Sequence, residues 1–329
     1  MAGGAKGYGG LRIVAPVDRV EEVAAVARAG AAEVYGGVMA PGRGAGAPSA
    51  TRRTFASAHL ADEGRLREAV AEARRAGVGF HLTLNAVPYP PGAYPALLGL
   101  AERAAGWGAA GVIVADLGLL IRLAARDLPL VLTLSSVAGA FNRHAVGFYR
   151  RFGISRAVLP RHLTLGEQEA LVRAHPEVGF EAFVLVGKCP NAEALCTFQH
   201  VSPSKRWPCE IPYRLTDPEG RPLAADHPLR RWHEAWRQAD RRAGCGVCGI
   251  PDWARMGVRF LKVVGRGGPT ADKVANVSMV AAFVRGDLDP GDGPAAYRRR
   301  FGRPCHPLTC YVPERFQDRE PEAGTTPIG

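Results

Sequence analysis

The 329-residue sequence lacks several features that would assign it to a specialised class of protein. No stretch approaches the ~18 consecutive apolar residues that a membrane-spanning helix needs, so no membrane association is expected. The opening MAGGAKGYGG has no apolar core of signal-peptide length, which favours a cytoplasmic location. With 47% hydrophobic and 22% charged residues, the composition is neither that of a disordered chain nor that of a collagen-like fibre.

Lysine is scarce, although the chain is strongly basic. Only five of the 42 basic residues are lysine, and the formal net charge is +11. Such a surface favours anionic partners, either nucleic acid or small polycarboxylates. A bias in base composition explains the arginines equally well, because alanine, glycine and proline are abundant too. The arginine runs are too short to specify RNA binding.

Short apolar runs alternate with alanine-rich helical patterns along most of the chain. The runs are rich in β-branched residues and nearly continuous in apolarity, which is typical of strands covered on both faces of a parallel sheet. Eight strands are predicted to start at Leu11, Ala32, Gly79, Gly111, Leu130, Arg156, Phe180 and Arg259. Three helical patterns end in a glycine, at Gly30, Gly77 and Gly153. The alternation predicts an α/β fold of the (β/α)8 TIM-barrel type. A doubly wound open sheet ranks second, since the glycine-rich phosphate fingerprint is missing after the first strand.

The predicted barrel occupies residues 11–288. Residues 1–10 are expected to be disordered, and residues 289–329 form a tail rich in proline, glycine and arginine. One connection is far longer than usual, because an insertion at about 189–258 separates the seventh and eighth strands. Loops that follow strand carboxyl ends form the active-site face of a barrel, so the insertion lies where chemistry is expected.

The insertion holds five of the seven cysteines: Cys189, Cys196, Cys209, Cys245 and Cys248. An odd cysteine count without an export signal argues against a disulfide framework and for thiols used as ligands or nucleophiles. Four thiolates around one centre suit an iron–sulfur cluster or tetrahedral zinc, and the loose spacing modestly favours the cluster. The two cysteines of the tail, Cys305 and Cys310, are interpreted as thiols with no part in the site.

A single nucleophilic cysteine is an alternative use of these thiols. It would need a base such as His59, His162 or His200 beside it, and the sequence leaves that pairing open. No local segment resembles a protease nucleophile motif.

Three basic residues near strand ends are candidates for anion binding. Lys262 and Arg266 lie on and just after the last predicted strand, facing the barrel interior or mouth. A buried lysine is costly unless it is paired, which favours a functional role over a core ion pair. Such cations could hold a dicarboxylate. Arg161, at the end of the sixth strand, is a similar candidate, with a salt bridge at the barrel rim as an equal alternative.

Several segments together resemble one known family. The opening LRIVAPVDRVEEVAAVARAGAAEVYGG, the block CTFQH and the closing CGVCGIPDWARMGVRFLKVVGR are similar to blocks of peptidase family U32, the collagenase-like family. The matching segments run in order from about Leu11 to Arg285. Despite its name, that family is better understood as iron–sulfur proteins. Well-studied relatives hydroxylate quinone precursors or RNA without molecular oxygen, and prephenate is their implicated hydroxyl donor.

The resemblance implies a [4Fe–4S] cluster held by Cys189, Cys196, Cys209 and Cys245. Cys248 is a fifth candidate, so four of these five are expected to be metal ligands, with zinc as the less favoured metal. The implied activity is an O2-independent hydroxylation in which Lys262, Arg266 and Arg161 bind the anionic donor. The acceptor would be an RNA, a quinone-like molecule or a secondary metabolite, and a related family member could act as a partner subunit.

Two departures from the family pattern weaken the transfer of a substrate. Val264 stands where the family's last strand usually has a carboxylate, and Val137 stands where a glutamine is common. The family label keeps a peptidase or other hydrolase as the runner-up. A non-catalytic subunit that carries the cluster is a further alternative.

Overall fold

A computed structural model describes residues 7–39, 50–53, 55–189, 191–196 and 213–316. In these ranges, parallel strands pair in sequence order and close into a barrel, with β8 beside β1. The strands are β1 (Arg12–Pro16), β2 (Glu33–Gly36), β3 (Gly79–Leu84), β4 (Gly111–Val114), β5 (Val131–Leu134), β6 (Arg156–Val158), β7 (Gly179–Leu185) and β8 (Phe260–Val263). The predicted (β/α)8 fold is confirmed.

Helices follow the strands around the outside of the barrel. The first six are α1 (Val20–Arg28), α2 (Glu63–Arg75), α3 (Tyr94–Trp107), α4 (Leu117–Ala124), α5 (Arg143–Arg150) and α6 (Leu165–Ala174). The connection from β7 to β8 contains α7 (Pro228–Gln238) and α8 (Ile250–Met256), and β8 is followed by α9 (Thr270–Arg285) and α10 (Gly293–Phe301). None of the helices in the described ranges has the length and apolarity needed to cross a membrane.

Local sequence signals account for several helix ends. At the start of α6, the Thr164 hydroxyl accepts a hydrogen bond from the Glu167 amide at 3.2 Å, and the Glu167 carboxylate accepts one from the Thr164 amide at 2.8 Å. Gly30, Gly77 and Gly153 have φ angles of +114°, +69° and +78°. The three predicted glycine ends of helices are therefore confirmed, because this left-handed conformation favours glycine.

A layer of buried charges fills the barrel interior. Glu33, His81, Arg156, Glu181 and Lys262 are each at most 6% exposed. The Arg156 Nη2 donates to Glu33 Oε1 at 3.1 Å, and the His81 Nε2 lies 2.9 Å from Glu33 Oε2. Lys262 forms an ion pair with Glu181. Burial raises the pKa of Glu33, but hydrogen bonds from His81 and Arg156 outweigh burial and hold this pKa below its ordinary value.

The chain beyond α9 contacts the end of the β7–β8 connection. The Cys245 amide donates to the Thr309 carbonyl at 3.0 Å, and the Tyr311 amide donates to the Cys245 carbonyl at 2.8 Å. Tyr311 and Val312 are buried, at 4% and 0% exposure. Residues of the predicted tail thus form part of the wall near the barrel mouth, whereas residues 317–329 lie outside the described residues.

Only part of the predicted disordered amino terminus is described. Residues 1–6 lie outside the described residues, and the Tyr8 amide donates to the Val284 carbonyl at 2.6 Å. This bond attaches the chain just before β1 to the end of α9.

Candidate functional site

The carboxyl ends of the strands place several cations at the barrel mouth. Arg161 follows β6, Lys188 follows β7 and Arg266 follows β8, while Arg53 comes from the connection between β2 and α2. We call Arg53, Arg161, Lys188 and Arg266 the mouth cations. Their position on strand-end loops is the usual one for active-site residues of this fold.

Electrostatic effects show that these groups lie close to one another. The pKa of Arg53 is lowered to about 10, first by burial and then by the charges of Arg266 and Arg161. The pKa of His59 is lowered to about 4 by burial and by the charge of Arg266, so its imidazole is neutral near pH 7. Burial raises the pKa of the Tyr35 phenol, and Arg266 and Arg53 oppose that effect. The mouth is therefore a region of concentrated positive charge.

Arg161 is held in the rim of the mouth by several contacts. It forms an ion pair with Glu193, and its guanidinium lies over the Phe183 ring at 3.5 Å from the centroid. Its Nε also donates to the Tyr311 hydroxyl at 3.3 Å. The salt bridge at the barrel rim, which the sequence left as an equal alternative, is present.

Arg266 has a buried donor that no group of the described residues satisfies. Its Nη1 is buried and makes no hydrogen bond within the described part of the chain. Asp18 is a carboxylate whose charge acts on Arg266. Its Oδ2 accepts from Lys273 Nζ at 2.6 Å and from the Gly267 amide at 2.8 Å, while its Oδ1 is buried and makes no hydrogen bond to a described residue. A buried donor without a partner is costly, and an anionic ligand would satisfy it.

Lys262 lies inside the barrel, where other groups balance the positive charge of its ammonium. Its ammonium pairs with Glu181 and stands over the Tyr35 ring, 3.9 Å from the centroid. The structure thus contains the core ion pair that the sequence analysis ranked below a functional role. Of the three predicted anion-binding residues, Arg266 is the one with an unsatisfied donor.

Three residues of the mouth were missed by sequence reasoning. Arg53 lies in a long connection whose path the sequence does not specify. Lys188 immediately precedes Cys189, and that adjacency was an available signal. Its Nζ donates to the Arg161 carbonyl at 3.3 Å, and burial lowers its pKa. Tyr311, from the predicted tail, donates its hydroxyl to the Val186 carbonyl at 2.7 Å, and no sequence signal places it there.

The first cysteines of the insertion follow β7 at the mouth. Cys189 is close enough to Arg53 and Lys188 for a thiolate there to raise their pKa values. The Cys196 Sγ accepts a weak hydrogen bond from Asn191 Nδ2 at 3.8 Å. Cys209 lies outside the described residues.

Cys245 and Cys248 lie at the end of the β7–β8 connection. Together with Cys305 and Cys310 they line one small cavity between the β7–β8 connection and the carboxyl-terminal segment. Within the ranges described, no three His, Cys, Asp or Glu side chains already stand as a complete metal-binding group. The six described cysteines also form no disulfide.

The histidines considered as catalytic bases are held by other groups. The His59 Nε2 lies 2.8 Å from the Arg53 carbonyl oxygen, and the His162 ring packs edge-on against Phe141 at a centroid distance of 4.8 Å. His200 lies outside the described residues. The contacts of the two described rings anchor them and do not activate a thiol.

The fold and its site define a (β/α)8 barrel with a cationic mouth and a cysteine-bearing connection between β7 and β8. A model of peptidase family U32 matches residues 18–294, and the chain belongs to this family. The predicted family resemblance is confirmed.

Solved structures with similar folds share little sequence with this chain. The U32 peptidase Mk0906 is 15% identical, with a TM-score of 0.49, over 80% of this chain and 95% of that one. N-acetylneuraminate lyase from Mycoplasma synoviae is 9% identical, with a TM-score of 0.43, over 90% of this chain and 78% of that one. A 2,3-dimethylmalate lyase of the PEP mutase/isocitrate lyase superfamily is 10% identical, with a TM-score of 0.43, over 89% of this chain and 90% of that one.

Proposed function

We propose that this protein is an iron–sulfur enzyme that hydroxylates an acceptor without O2, taking the hydroxyl group from an anionic donor such as prephenate. The observation that carries the proposal is the unsatisfied buried donor of Arg266 among the mouth cations. Family membership supports an enzyme, and the donor and the reaction come from the family resemblance. The acceptor would be an RNA, a quinone-like molecule or a secondary metabolite.

A carboxylate donor suits the charge of the mouth. Arg53 and Arg266 bring two guanidinium groups to one partly buried region, where each lowers the pKa of its neighbours. Guanidinium groups bind carboxylates through two parallel hydrogen bonds, and such charge-assisted bonds are strong where water is excluded. Prephenate has two carboxylates, so it could engage both arginines. Arg161 would shape the rim, because Glu193 already neutralises it.

The thiols after β7 are ligands of the kind that an iron–sulfur cluster takes. Cys189 directly follows Lys188, and Cys196 and Cys209 continue the same segment of the sequence. These three would hold the cluster, which when bound would supply one-electron redox chemistry next to the donor. The cations at the mouth would in turn lower the energy of the negatively charged cluster and orient the donor beside it.

The proposed reaction is balanced without an external oxidant. An acceptor C–H bond becomes C–OH, while the donor exchanges its C–OH bond for C–H. The donor thus gains the two electrons that the acceptor loses. Within the protein, Tyr35 can hold a proton close to the mouth cations, because burial raises the pKa of its phenol.

Two other functions are separable by experiment. A peptidase, as the family label suggests, would cleave peptides without a metal and lose that activity on replacement of one cysteine. A non-catalytic subunit bound to a related family member would keep its cluster and yet bind no donor.

Donor binding tests the proposal directly. Titration calorimetry on anaerobically purified protein should show prephenate binding at least about tenfold more tightly than phenylpyruvate, because phenylpyruvate has one carboxylate and a second arginine–carboxylate pair contributes about 1.5–3 kcal/mol. Raising the ionic strength should reduce the preference for prephenate over phenylpyruvate, because salt screens the arginine–carboxylate attraction. No binding of either acid would refute an anion site at the mouth, and equal affinities for the two acids would refute a second arginine–carboxylate pair.

A further inference from the structure

Four cysteines line one cavity beside the mouth, and the family resemblance counts two of them, Cys245 and Cys248, among the candidate cluster ligands. Cys245, Cys248, Cys305 and Cys310 surround a space of about 30 Å3 at the junction of the β7–β8 connection and the carboxyl-terminal segment. We propose that these four cysteines bind a single structural zinc ion.

The spacing of the cysteines fits this use. Cys245 and Cys248 are separated by two residues, and Cys305 and Cys310 by four. Pairs with two to four intervening residues are the usual ligand units of structural zinc sites, which combine two such pairs. The sequence shows only one obvious knuckle, because the second pair is wider and lies far along the chain.

The backbone brings the two pairs together. Cys245 and Cys310 are opposite each other in a parallel bridge. Two hydrogen bonds hold this bridge, from the Cys245 amide to the Thr309 carbonyl at 3.0 Å and from the Tyr311 amide to the Cys245 carbonyl at 2.8 Å. Cys248 packs against Gly293, where any Cβ would collide with its sulfur. The first turn of α10 therefore leaves room for a thiol at the cavity.

The cavity is sized for one ion. Its volume of about 30 Å3 is enough to hold a single metal ion. The four sulfurs line the cavity without yet surrounding one point. Metal binding would therefore require the cysteine side chains to turn toward one point, by rotation about the side-chain torsion that positions each sulfur.

Zinc would compensate the charge of the four cysteine thiolates in this cavity. On binding it would displace the protons of the four thiols.

The proposed site has consequences for the mouth. A zinc ion at this site would hold in place the segment that contains Tyr311. The Tyr311 hydroxyl accepts a hydrogen bond from Arg161 Nε and donates one to the Val186 carbonyl. The proposed site also withdraws Cys245 from the cluster ligands. The cluster thiolates are then Cys189, Cys196 and Cys209, an assignment that rests on the proposed function.

Metal analysis of the wild-type chain tests the site without any variant. Protein purified anaerobically without added metal should contain about one zinc per chain, and X-ray absorption at the zinc edge should show four sulfurs at ~2.3 Å. The proposal would be overturned if the protein contained no zinc. It would also be overturned if nitrogen or oxygen ligands took the place of sulfur, or if any two of the four cysteines formed a disulfide.

Three variants separate this site from the iron–sulfur cluster. Cys305→Ser and Cys245→Ser should each lose most of the zinc and keep the wild-type iron content. Cys196→Ser, the matched control from the mouth, should keep its zinc and lose iron. If Cys245→Ser loses iron and keeps zinc, Cys245 is a cluster ligand and the four-cysteine site is wrong. A failure of all iron binding, with zinc intact, would instead contradict only the proposed function.

Discussion

Replacing Arg266 with glutamine should weaken prephenate binding by about 10- to 100-fold. The substitution removes a guanidinium whose Nη1 is buried and makes no hydrogen bond to any described residue, so no hydrogen bond at that atom within the described ranges is lost. A hydrogen bond to a charged group contributes about 1.5–3 kcal/mol, which corresponds to that range. Calorimetric titration of the variant and the wild type measures the change.

The matched control for this prediction is Arg67→Gln. Arg67 is exposed on α2, and its replacement changes the net charge by the same amount. Its affinity for prephenate should stay within about twofold of wild type, since exposed charges are screened. An equal loss of prephenate affinity in both variants would mean that binding depends on the overall charge of the protein. An unchanged affinity in Arg266→Gln would exclude this residue from the site.

Replacing Glu181 with glutamine should lower the free energy of unfolding by about 3–5 kcal/mol. The Glu181 carboxylate is 1% exposed, pairs with Lys262 and lies 3.8 Å from Arg156. Its removal leaves a buried ammonium without a counter-charge, and this is more costly than the loss of a surface pair. Urea denaturation of both proteins measures the difference.

Two further variants distinguish the buried charge from a general effect of removing a carboxylate. Glu177→Gln breaks a half-exposed pair with Arg150, 2.7 Å long, and should cost at most about 1 kcal/mol. The double variant Glu181→Gln/Lys262→Met should recover most of the lost stability, because no uncompensated charge remains. If Glu181→Gln unfolds at the wild-type urea concentration, Lys262 is not held by this ion pair.

The barrel could be predicted because its strands are covered on both faces. A strand in that environment has a continuous apolar sequence, as in the segment from Gly111 to Val114, where every residue is buried. Gly30, Gly77 and Gly153 marked helix ends in the same way, through a backbone conformation that favours glycine. These signals are local, so a single sequence reveals them.

The site was less predictable because its contacts join distant segments. Arg161 meets Glu193 and Tyr311, and Cys245 meets Cys310, across separations that no local pattern encodes. The ion pair of Lys262 could not be predicted from the sequence either, because its partner Glu181 lies on a neighbouring strand. The cysteines of the predicted tail consequently seemed unrelated to the site, although they share a cavity with Cys245 and Cys248.

Iron and sulfide analysis of anaerobically purified protein tests the central claim most directly. The wild type should be brown and contain about four iron and four sulfide per chain, and Cys189→Ser should lose most of both. Zinc in the four-cysteine cavity leaves these two values unchanged. A colourless wild-type protein without iron and acid-labile sulfide would contradict an iron–sulfur enzyme.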